Sequence, residues 1–178
     1  MEMETDWSKL PMDLLTSIFA KLAPVEVLMG AGLVCHSWLE AAKLPDLLWR
    51  SLDMKHLNSN NNAVLKNKHF LRTMAKIAMD RADGRLETFA ADLFVDDELL
   101  EYIAERSPSL KSLTLVDCSI TNTTLMETVD ICPRLELLHV SDCYNISVEC
   151  ALFAKCGRIR TLTIIPFCDY DNYCQLSW

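Results

Sequence analysis

The sequence predicts a multi-part chain, α plus α/β. A small all-helical unit spans residues 7–52, a linker and capping helix follow over 53–83, and a short right-handed β/α solenoid occupies 84–178. Three observations carry this reading. Pro11 and Pro24 each stand where a helix begins, with apolar residues at helical spacing behind them. An Asn-rich seam, "KHLNSNNNAVLKNK", has the composition of a loop. Beyond residue 84 a leucine pattern recurs at nearly constant intervals.

The first helix, "LPMDLLTSIFAKL" from Leu10 to Leu22, carries more apolar residues than one stripe needs. With Leu14 at zero on an ideal helix, Ile18 falls at about 40°, Leu22 at about 80° and Leu15 at about 100°. Phe19 follows at about 140° and Met12 at about 160°. That arc of about 160° exceeds the roughly 100° of a helix facing a single core. It serves either a central place in a small bundle or two surfaces, one inside and one toward a partner. Size favours the second, because about 45 residues in three short helices bury little surface alone. Phe19, Trp38, Leu48 and Trp49 are a heavy apolar load for so small a unit. A third pattern, "GLVCHSWLEAAKL", places Val34, Trp38 and Ala41 on one face before Pro45 breaks the chain.

After the seam, "KHFLRTMAKIAMDRA" has Phe70, Leu71, Met74, Ile77 and Ala78 at amphipathic spacing, the pattern of a helix that caps an array. Then "GRLETFAA", "PSLKSLTL", "PRLELLHV" and "GRIRTLTI" align, with leading residues Leu86, Leu110, Leu135 and Ile159 spaced 24, 25 and 24 apart. Leu-x-x-Leu-x-Leu at that period is the leucine-rich repeat signature, a short strand per turn feeding a shared stack. Helix patterns lie between, started by Asp96 or Asp97, by Thr121 or Asn122, and by Ser147. Cys118 and Cys143 hold the same place in adjacent repeats, where a small buried side chain belongs. The fourth strand runs into "PFCDYDNYCQLSW", which shows no closing helix pattern.

A formal net charge of -8 argues against nucleic acid or an anionic membrane as the main partner. The acidic start is not a secretory leader, and "APVEVLMGAGLV" is too short to span a bilayer. The expectation is a cytoplasmic or nuclear protein with eight reduced cysteines, so the sequons at Asn122 and Asn145 carry no meaning. No Cys-x-x-Cys pair exists, so no metal site is expected, and no cofactor is implied. Catalysis is not expected. Cys35 and His36 are helical neighbours pointing about 100° apart, four glycines build no phosphate loop, and Asp96-Asp97 reads as capping.

The stretch from Leu10 to Leu52 resembles an F-box. The match rests on Leu10-Pro11, Asp13, Leu14-Leu15, Ile18-Phe19, Leu22, Pro24, "VCHSW" from Val34 and "LLWR" from Leu47. Gly30 and Gly32 loosen the second helix relative to the family pattern. The rest resembles the cysteine-containing leucine-rich repeats that accompany F-boxes in plant proteins. The resemblance implies a three-helix F-box and a substrate receptor of a cullin-RING ubiquitin ligase, docking to a Skp-type adaptor and through it to a cullin. Adaptor contacts are then expected from Leu10, Pro11, Ile18, Leu22, Pro24, Val34, Trp38 and Trp49, with Leu14, Phe19 and Leu28 mostly in the core. An unidentified target protein is expected on the face alternating with the strand leucines. Its residues are Thr88, Ala90 and Asp92; Ser112, Thr114 and Val116; Leu137, His139 and Ser141; and Thr161, Thr163 and Ile165. The alternative is a non-degradative binding module held on the adaptor.

Overall fold

The computed structural model describes residues 6–44, 48–57, 67–147 and 156–166. The helix expected after Ser147, the break at Pro45, the centre of the Asn-rich seam and the C-terminal aromatic stretch lie outside them.

Short helices form the first unit: a 3-10 turn at Trp7–Lys9, α1 (Met12–Phe19), α2 (Pro24–Met29), a second 3-10 turn at Ala31–Leu33 and α3 (His36–Ala42). Pro24 is the first residue of α2, where its missing N–H is no loss, and Glu26 reaches back to accept from the Ala23 N–H at 2.8 Å. The helix stops after six residues at Gly30. Gly32 then passes so close to α2 that an added Cβ would lie 2.7 Å from the Val27 carbonyl oxygen. The two glycines therefore do more than loosen a helix. They end α2 and let the chain cross it at contact distance.

Five parallel strands follow, in sequential order: β1 (Ser51–Met54), β2 (Thr88–Asp92), β3 (Ser112–Val116), β4 (Leu137–Cys143) and β5 (Thr161–Pro166). Crossovers carry α4 (Lys68–Ala82), α5 (Asp97–Arg106) and α6 (Asn122–Ile131). Parallel neighbours need such crossovers, and the sheet is covered where helices pack. β1 was not expected. It makes the segment after Trp49 the first strand of the sheet, and α4 the crossover from β1 to β2.

Register aligns the core in columns. Leu52, Phe89, Leu113, Leu138 and Leu162 form one, and Met54, Ala91, Leu115, Val140 and Ile164 the next. Those from β1 to β4 are essentially inaccessible, each large one worth about 2 kcal/mol of apolar transfer. On α4 the buried stripe is Leu71, Met74, Ala75, Ala78, Met79 and Ala82. Ile77, expected on that stripe, is exposed, because the stripe turns onto the small residues that let α4 sit close to its neighbours.

Caps and stitches repeat with the strands. Asp96 Oδ1 accepts from the Leu99 N–H at 3.0 Å to start α5, and Thr121 Oγ1 accepts from the Thr124 N–H at 3.4 Å to start α6. One residue on, Asp97 Oδ1 accepts from the Thr121 N–H at 2.8 Å, and Asn122 Oδ1 accepts from the Ser147 N–H at 3.3 Å. Asn122 is thus committed to the next unit. Just after β1, β2 and β3, and at the bulge near the end of β4, His56, Leu93, Asp117 and Asp142 take left-handed backbone angles, with φ of 61°, 69°, 51° and 57°. Cys118 and Cys143 follow in the buried position expected of them. The Cys118 N–H donates to Cys143 Sγ at 3.3 Å. Their shared hydrogen bond and burial push the Cys118 thiol up, holding it neutral.

Candidate functional site

The wide apolar arc of α1 divides into two faces. Leu15, Thr16 and Phe19 point into the core, while Met12, Leu14 and Ile18 stay exposed. Among the described residues, seven of the eleven large apolar side chains left exposed fall between Trp7 and Leu44. They are Trp7, Met12, Leu14, Ile18, Leu33, Val34 and Leu44, so the surplus is concentrated on the smallest unit.

Two hydrogen bonds fix this face. Ser37 Oγ donates to the Ser8 carbonyl at 2.9 Å, and Trp38 Nε1 donates to the Trp7 carbonyl at 3.0 Å, tying the first 3-10 turn to α3. Asp6 accepts from both the Ser8 N–H and hydroxyl, at 3.1 and 2.6 Å, which closes that turn and holds its carboxyl below the usual range. Trp38 packs edge-on against Phe19 at 5.6 Å between centroids, so its ring is half core and half surface.

The expected adaptor residues distribute unevenly. Pro11, Ile18 and Val34 are exposed; Leu10, Leu22, Pro24 and Trp38 are partly so. Two expectations reverse. Trp49 is wholly buried, with Nε1 donating to the Ala42 carbonyl at 3.0 Å and the Arg81 guanidinium 5.3 Å over its ring. It belongs to the core beneath β1. Leu14, expected inside with Phe19 and Leu28, is 50% exposed, because it shares the outer side of α1 with Ile18. Trp7 and Leu33, not named from sequence, also lie on the exposed side, as does Met12 from the edge of the expected apolar arc. The signal for Leu14 was present, since about 40° separates it from Ile18 on the helix.

The face alternating with the core columns forms three rows across the sheet. One runs Ser51, Thr88, Ser112, Leu137, Thr161; the next runs Asp53, Ala90, Thr114, His139, Thr163. The third places Asp92, Val116, Ser141 and Ile165 in line. Ala90 and Ser141 are buried, leaving shallow places in rows otherwise half-exposed. Asp92 is occupied structurally, its Oδ2 accepting from the His56 N–H at 2.7 Å across to the β1 turn. His139, in the middle row, is the titratable group of β4 on this face.

Cys35 Sγ lies 3.1 Å from Ser37 Oγ, whose hydrogen bond draws the thiol below its ordinary range, whereas His36 Nε2 is 3.9 Å from Glu40. The two neighbours have different partners, as their angular separation dictates. Among the described residues no three metal-ligating side chains come together, and no helix is long and apolar enough to cross a membrane.

The chain joins an apolar-faced helical unit to a parallel strand–helix stack. Residues 7–55 match the F-box-like family, which covers the helical unit and β1. Three relatives from Arabidopsis thaliana align over most of the chain. F-box protein SKIP19 is 38% identical over 94% of this chain. Two proteins with F-box/LRR-repeat names, numbers 22 and 23, are 33% and 37% identical over 96% and 89% of it. The chain carries an F-box-like domain and is similar over most of its own length to proteins named F-box or F-box/LRR-repeat proteins. It spans 54% of the length of SKIP19, and 55% and 35% of the other two.

Proposed function

We propose that the chain is the substrate-recognition subunit of a Skp–cullin–F-box ubiquitin ligase, with a three-helix F-box docked on the Skp-type adaptor and a leucine-rich-repeat solenoid holding the target. The single observation that carries this reading is the exposed apolar face gathered on the F-box-like unit. Adaptor contacts come from Leu10, Pro11, Ile18, Leu22, Pro24, Val34 and Trp38, joined by Leu14 and Met12. The target lies across the sheet rows, on Thr88, Ser112, Thr114, Leu137, His139, Thr161 and Thr163.

The chain makes and breaks no bond in this role. It contributes proximity, keeping target lysines near an activated ubiquitin delivered through the cullin. The setting is cytoplasm or nucleus, where cysteines stay reduced. Co-expression with a Skp-type adaptor tests the reading. A stoichiometric complex is expected, weakened by Leu10→Ala with Pro11→Ala and lost in Leu14→Asp with Ile18→Asp. A chain that remains soluble and unbound beside the adaptor refutes it. Receptor function further requires that some protein accumulate when the chain is depleted.

A further inference from the structure

Outside both proposed surfaces, a groove of about 440 Å³ opens where the chain enters β3, β4 and β5, lined by Lys111, Pro133, Arg134, Glu136, Arg158 and Arg160. Four cations in one groove stand out on a chain of net charge -8. The residues entering the strands alternate in sign across the sheet: Arg50, Glu87, Lys111, Glu136, Arg160. Each of these backbones is joined to the next through paired hydrogen bonds. Within that ladder Lys111 pairs with Glu87 at 3.0 Å, Arg50 with Glu87 at 3.8 Å, and Arg160 with Glu136 at 3.2 Å.

Arg134 and Arg158 lie off the ladder, each the second residue after Cys132 and Cys156, where the preceding unit has only Ser109. Neighbouring units of a sheet repeat at roughly 5 Å, so the two guanidiniums can share one anion. Arg158 is anchored by Nη2 donating to the Cys132 carbonyl at 3.1 Å. Arg134 adds its field to that of Lys111 and Arg50 at the Glu87 carboxylate, which is held below its usual range chiefly by the hydrogen bond from Lys111.

We propose that this groove binds a phosphate-bearing ligand, with Arg134 and Arg158 clamping a phosphate dianion and Lys111 and Arg160 at its flanks. A carboxylate offers one charge, which Glu136 already supplies to Arg160. Two guanidiniums match two charges on one centre, held by bidentate, charge-assisted hydrogen bonds. A long nucleic acid is disfavoured by the net charge, and the groove spans only three strands.

Titration calorimetry at fixed ionic strength tests this on the full chain, co-purified with adaptor where needed. The probes are inorganic pyrophosphate, a phosphoserine peptide, the same peptide unphosphorylated, and the same peptide with glutamate in place of phosphoserine. Phosphorylated probes bind and the other two do not. Arg134→Gln and Arg158→Gln each weaken binding about tenfold, as loss of one charge-assisted pair requires. Arg106→Gln, a cation on α5 that pairs with Asp80 away from the groove, changes nothing. Thermal melts establish that each variant is folded, and Arg134→Gln is decisive if Arg158→Gln is not. A tighter phosphopeptide assigns a modified protein as the source, and tighter pyrophosphate a free phosphate compound. No binding, wild-type affinity in Arg134→Gln, or equal binding of the glutamate peptide overturns the proposal. Adaptor binding is unaffected by these variants, so failure here leaves the ligase reading standing.

Discussion

Replacing Trp49 by phenylalanine separates core from partner surface. The indole is wholly buried and its Nε1 donates to the carbonyl of Ala42, itself inaccessible. Phenylalanine keeps a ring but leaves that carbonyl unpaired, which costs about 1–3 kcal/mol. The smaller ring opens a void worth about 1 kcal/mol more. Part of the contact with the Arg81 guanidinium, 5.3 Å above the ring, is also lost. The expected destabilisation is therefore about 2–4 kcal/mol, a large share of the roughly 5–15 kcal/mol that holds a domain. Urea unfolding followed by far-ultraviolet circular dichroism measures it, and adaptor titration without denaturant measures binding by the folded protein. Trp49→Phe lowers the unfolding midpoint and leaves adaptor affinity of the folded fraction unchanged. Ile18→Ala does the reverse. A Trp49→Phe protein within about 0.5 kcal/mol of wild type that no longer binds adaptor refutes the argument, because the indole would then act on the partner face.

Three further outcomes follow from particular contacts. Gly32→Ala drives a Cβ to 2.7 Å from the Val27 carbonyl oxygen and costs about 1–3 kcal/mol of overpacking, read as a lower thermal midpoint. Leu93→Asn relieves a left-handed backbone at φ 69°, in a position where the next two units use Asp117 and Asp142. It raises stability by about 0.5–1 kcal/mol, and a loss instead means that the half-buried leucine side chain outweighs the strain. Burial pushes the Cys132 thiol from its ordinary 9.0 to about 11, with Arg158 opposing. The native state thus binds this proton more tightly than the unfolded chain. The associated stability is complete below about pH 9 and drains away toward pH 11, amounting to about 2–3 kcal/mol. Cys132→Ala flattens that alkaline limb of the stability–pH curve; an unchanged limb rules the thiol out as its source.

The repeats were legible because each turn must send one side chain to the same column, so β2 to β5 announce themselves at intervals of 24, 25 and 24 residues. β1 escaped the same search for a physical reason. Ser51 pairs with Thr88, 37 residues later, because the first crossover carries the fifteen-residue α4 and the Asn-rich seam. A period cannot reveal a unit that does not keep it. On α1 the width of the apolar arc correctly implied two faces, yet it could not say which side faced in. Assigning Leu14 to the core and Ile18 to the surface split two residues that a helix holds together. Trp49 sits in no repeat and no long helix, so only its position against Ala42 and Arg81 shows that it is buried.

That burial also bears on how the two proposed surfaces cooperate. One apolar core runs without a break from Leu15 in α1 to Ile146 beyond β4. Trp49 ends the helical unit beneath it, Arg50 takes the Glu87 and Thr88 N–H groups on its carbonyl at 2.8 and 3.0 Å, and β1 continues directly into the sheet. α2 packs against both α4 and β1. A flexible tether at this point would spread a bound target through a volume that grows with tether length, diluting it relative to the adaptor. A shared core and a paired strand remove that freedom. In the proposed ligase, target and adaptor are then held at one fixed separation, and reactive lysines are selected by their place on the target surface. Inserting a Gly-Ser spacer between Trp49 and Arg50 severs this coupling. It should broaden the set of lysines modified while leaving adaptor affinity intact; an unchanged lysine pattern would show that rigidity here has no part in the selection.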